Sequence, residues 1–252
     1  MGKISVIIPT YNREDTILRA IDSVLDQTVE PHEILVCDDG STDGTETLVK
    51  RMKDKRIRWI SGKHTGLPAV PRNKGITESK GEWLAFLDSD DWWFPTKLEK
   101  QLALAQQKGL LAVSSNAVLV HRQNDYKKLL NFKKNVITFN DLVNTNYVIC
   151  SSTIIHSSLL KKCIGFPEDS SLIAIEDYTL WLRIATQTPF GYIREPLAYY
   201  NDDDISIRSK APQTIVEQKK RVFTNFLMWG KRKNISADYR NEIETALNYL
   251  HP

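Results

Sequence analysis

The feature that most constrains this chain is an alternation of short apolar runs with helical spacing through its first hundred residues. ISVII (4–8), EILVC (33–37), IRWI (57–60) and EWLAFL (82–87) read as strands. The first is apolar enough to be buried on both faces, as parallel strands are. Between the runs, Ile17, Ala20, Ile21, Val24 and Leu25 recur at helical spacing. Leu48, Val49 and Met52 mark a second helix, opened by the turn formers of DDGSTDGT (38–45). A short helix is expected near 72–79, and Leu98, Leu102 and Ala105 follow on another. Repeated β-α units predict an α/β fold, a mostly parallel sheet with helices on both faces. Ligands of such sheets bind beyond the carboxyl ends of the strands. That rule gathers PTYNR (9–13), DDGS (38–41), the loop 61–72 and DSDD (88–91) on one rim.

The second half is less regular. LLAVSSNAVLV (110–120) and ICSSTIIH (149–156) read as strands, IEDYTLWLRIAT (175–186) as a helix and GYIREPLAYY (191–200) as extended chain. Two helices are expected near 213–229 and 237–250. Length suits one large domain, or one domain with an appendage. The net charge of +3 gives no case for nucleic acid. Cys37, Cys150 and Cys163 are scattered with no CxxC spacing, so neither a zinc site nor a disulfide framework is suggested and a reducing cytosol fits. ISVII is too short for a signal-peptide core. No apolar run approaches the roughly 18–20 residues of a membrane span.

FLDSDDWW (86–93) places Asp88, Asp90 and Asp91 within four residues. Like charges that close repel one another. A hard divalent cation, Mn²⁺ or Mg²⁺, would relieve the repulsion and accept oxygen ligands. An acidic turn is the competing reading, since Asp and Ser are common turn formers. DDGS is equally open. A carboxylate there can accept from a nucleobase N–H or a ribose hydroxyl, or the segment is an Asp-Gly turn. Glu176 and Asp177 open a helix, where a carboxylate either complements the dipole or acts as a base at a pocket.

Taken together, SVIIPTYNR (5–13), ILVCDDGSTDGT (34–45), RNKGI (72–76), GEWLAFLDSDDWWFPTKLE (81–99) and IEDYTLWLR (175–183) resemble the family 2 glycosyltransferases, in family order and across most of residues 1–200. The resemblance implies the GT-A fold, a Rossmann-like sheet, with residues 1–100 as a nucleotide-sugar-binding half and 101–200 as an acceptor half. Residues 201–252 would be a C-terminal helical extension. It implies an inverting transfer of a sugar from a nucleotide donor, UDP-sugar first, to an acceptor hydroxyl in polysaccharide or oligosaccharide assembly.

Carried over by residue, Pro9, Thr10 and Tyr11 would flank the nucleobase, the Tyr11 ring offering a stacking face. Asp39 would accept from the base N–H. Arg72 would lie near base or diphosphate. Asp88, with Ser89 beside it, would meet the ribose. Asp90 would bind the metal, and Asp91 would support it or orient the loop. Asp177 would be the base, with Glu176 beside it. Apart from the resemblance, Trp93 beside the acids reads either as an acceptor contact that stacks a sugar or as core packing. One departure stands out: YYNDDDISIRS (199–209) has no His where many relatives have one, and Arg208 is the candidate substitute.

Basic residues surround aromatics in 121–134 (His121, Arg122, Lys127, Lys128) and in 219–233 (Lys219, Lys220, Arg221, Lys231). They read either as solvated faces over a packed stripe or as contacts to an anionic membrane and a lipid-diphosphate acceptor. A protein at the cytoplasmic membrane face is the expectation that follows. Rival functions are weaker. A haloacid-dehalogenase-type phosphohydrolase would place its acid pair after the first strand of its domain. A dinucleotide oxidoreductase would carry GxGxxG in the first β-α turn, where PTYNRED stands. A nucleotidyltransferase needs a Gly-rich basic loop there. A non-catalytic nucleotide-sugar-binding protein would have no need of Glu176 and Asp177.

Overall fold

The computed structural model describes residues 2–120, 126–201 and 214–250, with no side chain described at 126 or 128. The first half is the expected β-α series. β1 (Ile4–Thr10), α1 (Ile17–Leu25), β2 (Glu33–Asp38), α2 (Thr45–Arg51), β3 (Ile57–Ile60), α3 (Ala69–Glu78) and β4 (Trp83–Phe86) follow in turn. Then come the two-residue β5 (Trp92–Trp93), α4 (Lys97–Lys108), β6 (Ala112–Val120), β7 (Tyr126–Lys128), β8 (Val136–Ile137) and α5 (Phe139–Asn144). The chain continues through β9 (Ile154–His156), α6 (Ser157–Cys163), α7 (Glu176–Ala185), β10 (Phe190–Asn201), α8 (Ile215–Lys233) and α9 (Ala237–Tyr249).

The sheet runs β3-β2-β1-β4-β9-β6-β10-β5. The pairs β1–β2, β1–β4, β2–β3 and β6–β10 are parallel, while β9 is antiparallel to both β4 and β6. Both faces are covered. Val6, Ile8, Ile34 and Val36 join the core on one face, and Ile7, Leu35, Cys37 and Phe86 join that on the other. The period-2 side-chain alternation of a strand is thus split between two apolar layers. Gly75 allows α3 to lie close on β1, since a Cβ there would sit 2.6 Å from Ile7 Cγ2.

Two readings change. The stretch 149–156 is not one strand. Cys150–Ser152 form a 3₁₀ turn, and only Ile154–His156 pair. The helix expected near 72–79 begins three residues earlier, at Ala69, and carries Pro71 in its first turn, where a missing N–H costs little. At the C-terminal end, α8 buries Val222, Phe223, Phe226 and Trp229 in the same core as Tyr178 and Trp181 of α7. The aromatics of the 219–233 run therefore form a packed stripe. Among the described residues, no helix is long and apolar enough to cross a membrane.

Candidate active site

β1 and β2 end side by side, Thr10 opposite Asp38. Tyr11 and Asp39 therefore leave the sheet together at its carboxyl edge. The Asp38 carboxylate accepts from the N–H groups of Gly40 (3.0 Å) and Ser41 (3.0 Å), which turns the chain and leaves the carboxylate of Asp39 to face another loop. Asn12 adopts φ 49°, a conformation Asn tolerates, and its side chain accepts from Thr42 N at 2.8 Å. The two rim loops are thereby tied. Tyr11 is 38% exposed, whereas Thr10 and Pro9 are buried. Asp39 is buried too, and accepts from Thr65 N (3.0 Å), Thr65 Oγ1 (2.8 Å) and Gly66 N (2.9 Å). The His64 ring stacks on Tyr11 with centroids 4.1 Å apart and planes at 22°.

The DSDD loop spreads its acids in different directions. Asp88 takes a bond from Arg72 Nη2 at 2.6 Å, and its N–H donates to Ser151 Oγ at 3.0 Å. Asp90, with its side chain about a quarter exposed at 26%, lies 3.7 Å from the Arg13 guanidinium. Asp91 is 1% exposed and accepts from Asn201 N at 2.8 Å, tying the loop to the end of β10. Burial, then the charges of Asp90 and Asp88, hold its carboxyl well above the usual carboxylate range. Ser89 is buried. Trp93 is not an acceptor platform in this arrangement. It is 3% exposed, its Nε1 donates to Ser151 O at 2.6 Å, and Lys97 Nζ lies 3.9 Å from its ring centre. A large apolar ring beside a buried turn is drawn into the core, and it supports the loop from within.

Arg72 joins the two halves of the site. Its Nη1 reaches Glu176 Oε1 at 2.5 Å while Nη2 holds Asp88. Burial works against its charge, but Asp88 and the other acids facing it keep it firmly protonated. Glu176 is 4% exposed and spent on this pair. Asp177, the next residue, is not in that pair and lines, with Glu176, a cavity of about 810 Å³ bounded also by Arg72, Asp88, Leu130, Ile149 and Lys219. Desolvation, then the neighbouring Glu176 charge, push its carboxyl up to about 7, against the lowering influence of Arg72 and the Tyr178 N–H. A carboxylate poised near neutrality beside a cavity is suited to taking a proton.

The arrangement can hold a divalent cation only in part. Among the described residues no three His, Cys, Asp or Glu side chains cluster into a metal cage. Asp88 is bonded to Arg72 and Asp91 points inward, while Asp90 keeps its side chain about a quarter exposed at the rim. One carboxylate is nevertheless a fit for Mg²⁺ or Mn²⁺, which usually take one or two carboxylates and complete their shell with substrate phosphates and water.

The structure thus brings Tyr11 and Asp39 to one end of the rim. It gathers Arg72, Asp88, Glu176 and Asp177 at the other. Arg208, Asp202, Asp203 and Asp204 lie outside the described residues, as do His121 and Arg122. Sequence reasoning missed His64 and Arg13. Arg13 stood inside a quoted motif, but its reach to Asp90 depends on the folded rim. His64 had a weak signal, as an aromatic base flanked by glycines in a rim loop.

A family model described as Glycosyl transferase family 2 matches residues 5–164. The chain is 34% identical over 181 residues to WfgD of Escherichia coli, a UDP-Glc:alpha-D-GlcNAc-diphosphoundecaprenol beta-1,3-glucosyltransferase; the match spans 72% of this chain and 69% of that one. It is 36% identical over 201 residues to an uncharacterized glycosyltransferase of Rickettsia bellii, of which it spans only 28%. The fold overlays the crystal structure of S. aureus TarS 1-349 in complex with UDP-GlcNAc with a TM-score of 0.79 at 23% identity, covering 99% of this chain and 72% of TarS 1-349. Motif order, sheet topology and family match agree, and the chain belongs to glycosyltransferase family 2, with the GT-A fold.

Proposed function

We propose that this protein transfers a sugar from a nucleoside diphosphate donor, a UDP-sugar, to an acceptor hydroxyl with inversion, and that Asp177 is the base. The observation that carries this reading is Asp177 itself. Its carboxyl sits at the mouth of α7, faces the cavity and is pushed up to about 7. In the reaction the acceptor O–H proton passes to Asp177 as the hydroxyl oxygen attacks the anomeric carbon. The bond from that carbon to the diphosphate oxygen breaks, and UDP leaves with the electron pair. A single displacement inverts the centre.

Around this step each residue has a task. Tyr11 stacks the base, and Asp39 accepts its N–H. Asp88, fixed by Arg72, meets the ribose. Arg72 also engages Glu176, so of the three carboxylates at the cavity Asp177 is the one that Arg72 does not bond. Asp90 would hold Mn²⁺ or Mg²⁺, which when bound stabilises negative charge growing on the leaving diphosphate. Support for a cation comes from the neighbouring fold of a Pyrobaculum calidifontis mannosyltransferase in complex with GDP-Man and Mn²⁺, with a TM-score of 0.64 at 19% identity.

WfgD, named for a lipid-diphosphate acceptor, supports the same acceptor class here, in surface polysaccharide or oligosaccharide assembly. The cavity suits it, since Asp177 shares its lining with the apolar Leu130 and Ile149 and with Lys219. The exposed basic face of α8 would then rest on anionic lipid at the cytoplasmic side of the membrane. The testing experiment is a thermal-shift panel of nucleotide sugars with Mn²⁺, followed by a hydrolysis assay on any donor that stabilises the protein. No stabilisation by any nucleotide sugar would contradict the reading.

A further inference from the structure

Both groups assigned to the donor base are already engaged by one short stretch of the same chain. His64 lies on Tyr11 as a planar heteroaromatic ring, at a stacking separation of 4.1 Å. Thr65 N and Gly66 N both donate to the Asp39 carboxylate, at 3.0 and 2.9 Å, and Thr65 Oγ1 adds a third bond at 2.8 Å. His64 Nδ1 stands 3.1 Å from Asp39 Oδ2 as well. A carboxylate offers about four lone-pair positions, so the three Thr65 and Gly66 donors already occupy most of what Asp39 could present to a base. A flat ring on Tyr11 with N–H groups on Asp39 is the pattern a pyrimidine base would present.

The loop is shaped for this seat. Gly66 has φ +69°, a left-handed conformation that favours glycine. Gly40, at φ +83°, lies against the same loop, and a Cβ there would be 2.7 Å from His64 N. Yet the His64 side chain is 50% exposed, so little packing beyond Tyr11 and Asp39 holds it. The contacts that fix the stretch are largely those the base would take.

We propose that His64, with Thr65 and Gly66, is an internal stand-in for the donor base, and that His64 sets donor affinity by competing for Tyr11. This rests on the reading of Tyr11 and Asp39 as the nucleobase site. A donor must then first meet protein whose base site is open, and its apparent affinity is lowered by the fraction that is closed. His64 is a determinant of donor affinity, and the transfer step itself does not use it.

The test is UDP binding to the whole chain by calorimetry and stopped flow. His64→Ala is expected to tighten UDP binding roughly 2- to 10-fold, the worth of a stacked ring pair, and to speed association. His64→Phe keeps a ring on Tyr11 and is expected to stay much nearer the wild type. Because the side chain is half exposed, neither change disturbs the core. Asp39→Ala is the control for the site itself, and should weaken UDP binding. If Asp39→Ala weakens UDP but His64→Ala leaves it unchanged or weakens it, the stand-in is overturned while the base site remains. If Asp39→Ala has no effect, the base-site reading fails, and the stand-in with it.

Discussion

Arg72 and Glu176 are separated by more than a hundred residues, yet their side chains meet at 2.5 Å inside the protein. Arg72 stands on α3, beside the donor rim. Glu176 is the first residue of α7, beside the acceptor cavity. The same guanidinium holds Asp88 at 2.6 Å, so one planar fork fixes the carboxyl edge of β4 against the mouth of α7. Asp177 gains its position from this contact.

Removing the fork should be costly. Arg72→Ala leaves Glu176 buried with both oxygens unpartnered, since Oε2 already has no hydrogen-bond partner. Breaking a buried pair from one side typically costs about 3–5 kcal/mol. Arg72→Lys should fall between, because one ammonium lacks the fork that binds both acids. Urea unfolding measures both variants, and a loss below about 1 kcal/mol for Arg72→Ala would contradict the clamp.

The raised Asp177 carboxyl makes a stability prediction with a definite sign. Its ordinary value is 3.8, and the folded protein lifts it to about 7. Between those values the folded state holds a proton that the unfolded chain has released. The stabilisation from this group is therefore complete below about 3.8 and is lost as pH rises through about 7. Asp177→Asn removes that dependence. The melting temperature of the variant minus that of the wild type should grow from pH 5 to pH 8, and a constant difference would count against the shift.

Asp90 lies partly exposed with the Arg13 guanidinium at 3.7 Å, a contact of the kind worth about 0–1 kcal/mol. Asp90→Ala should therefore barely change stability in the absence of ligand. In the wild type, UDP should raise the melting temperature more with Mn²⁺ than with EDTA. In the variant the two shifts should converge, and a persistent Mn²⁺-dependent increment would move the cation elsewhere.

Lys97 is fully buried, with Gln101 Oε1 at 2.8 Å and the Trp93 ring as neighbours, and burial pulls its ammonium well below its usual range. Its folded form favours the neutral amine, so stability should rise with pH as the unfolded chain approaches its own lysine value. Lys97→Met keeps the length of the stem and removes the desolvated charge. The variant should be equal to or more stable than the wild type at pH 7 and should lose this pH slope. A marked loss at pH 7, measured by urea unfolding, would show that the ammonium is satisfied where it stands.

Much of this was legible in the residues because strands and helices are read from local pattern. ISVII, EILVC and EWLAFL read as strands, and their ends set the rim where Tyr11, Asp39 and Asp88 lie. The pattern failed where side chains, not periodicity, decide the backbone. Cys150–Ser152 look like strand but turn as a 3₁₀ segment, whose Ser151 supports Asp88 and Trp93. Trp93 stayed open between a sugar contact and core packing, because sequence cannot tell an inward ring from an outward one. The partition of Glu176 and Asp177 into a clamp and a carboxylate that Arg72 does not bond was equally hidden. It depends on Arg72 arriving from a distant helix. His64 escaped notice for the same reason, since its partners come from two other loops.

Asp177 takes the acceptor proton in this mechanism while other residues hold the donor. Single-turnover UDP release from the stabilising UDP-sugar measures this, with enzyme in excess, water as the acceptor, and wild type compared with Asp177→Asn. In Asp177→Asn donor affinity should stay within about twofold of the wild type and release should slow by about 10²-fold or more, while the wild-type rate rises through a pKa of about 7. Release at the wild-type rate with the same pH profile in Asp177→Asn would contradict that role.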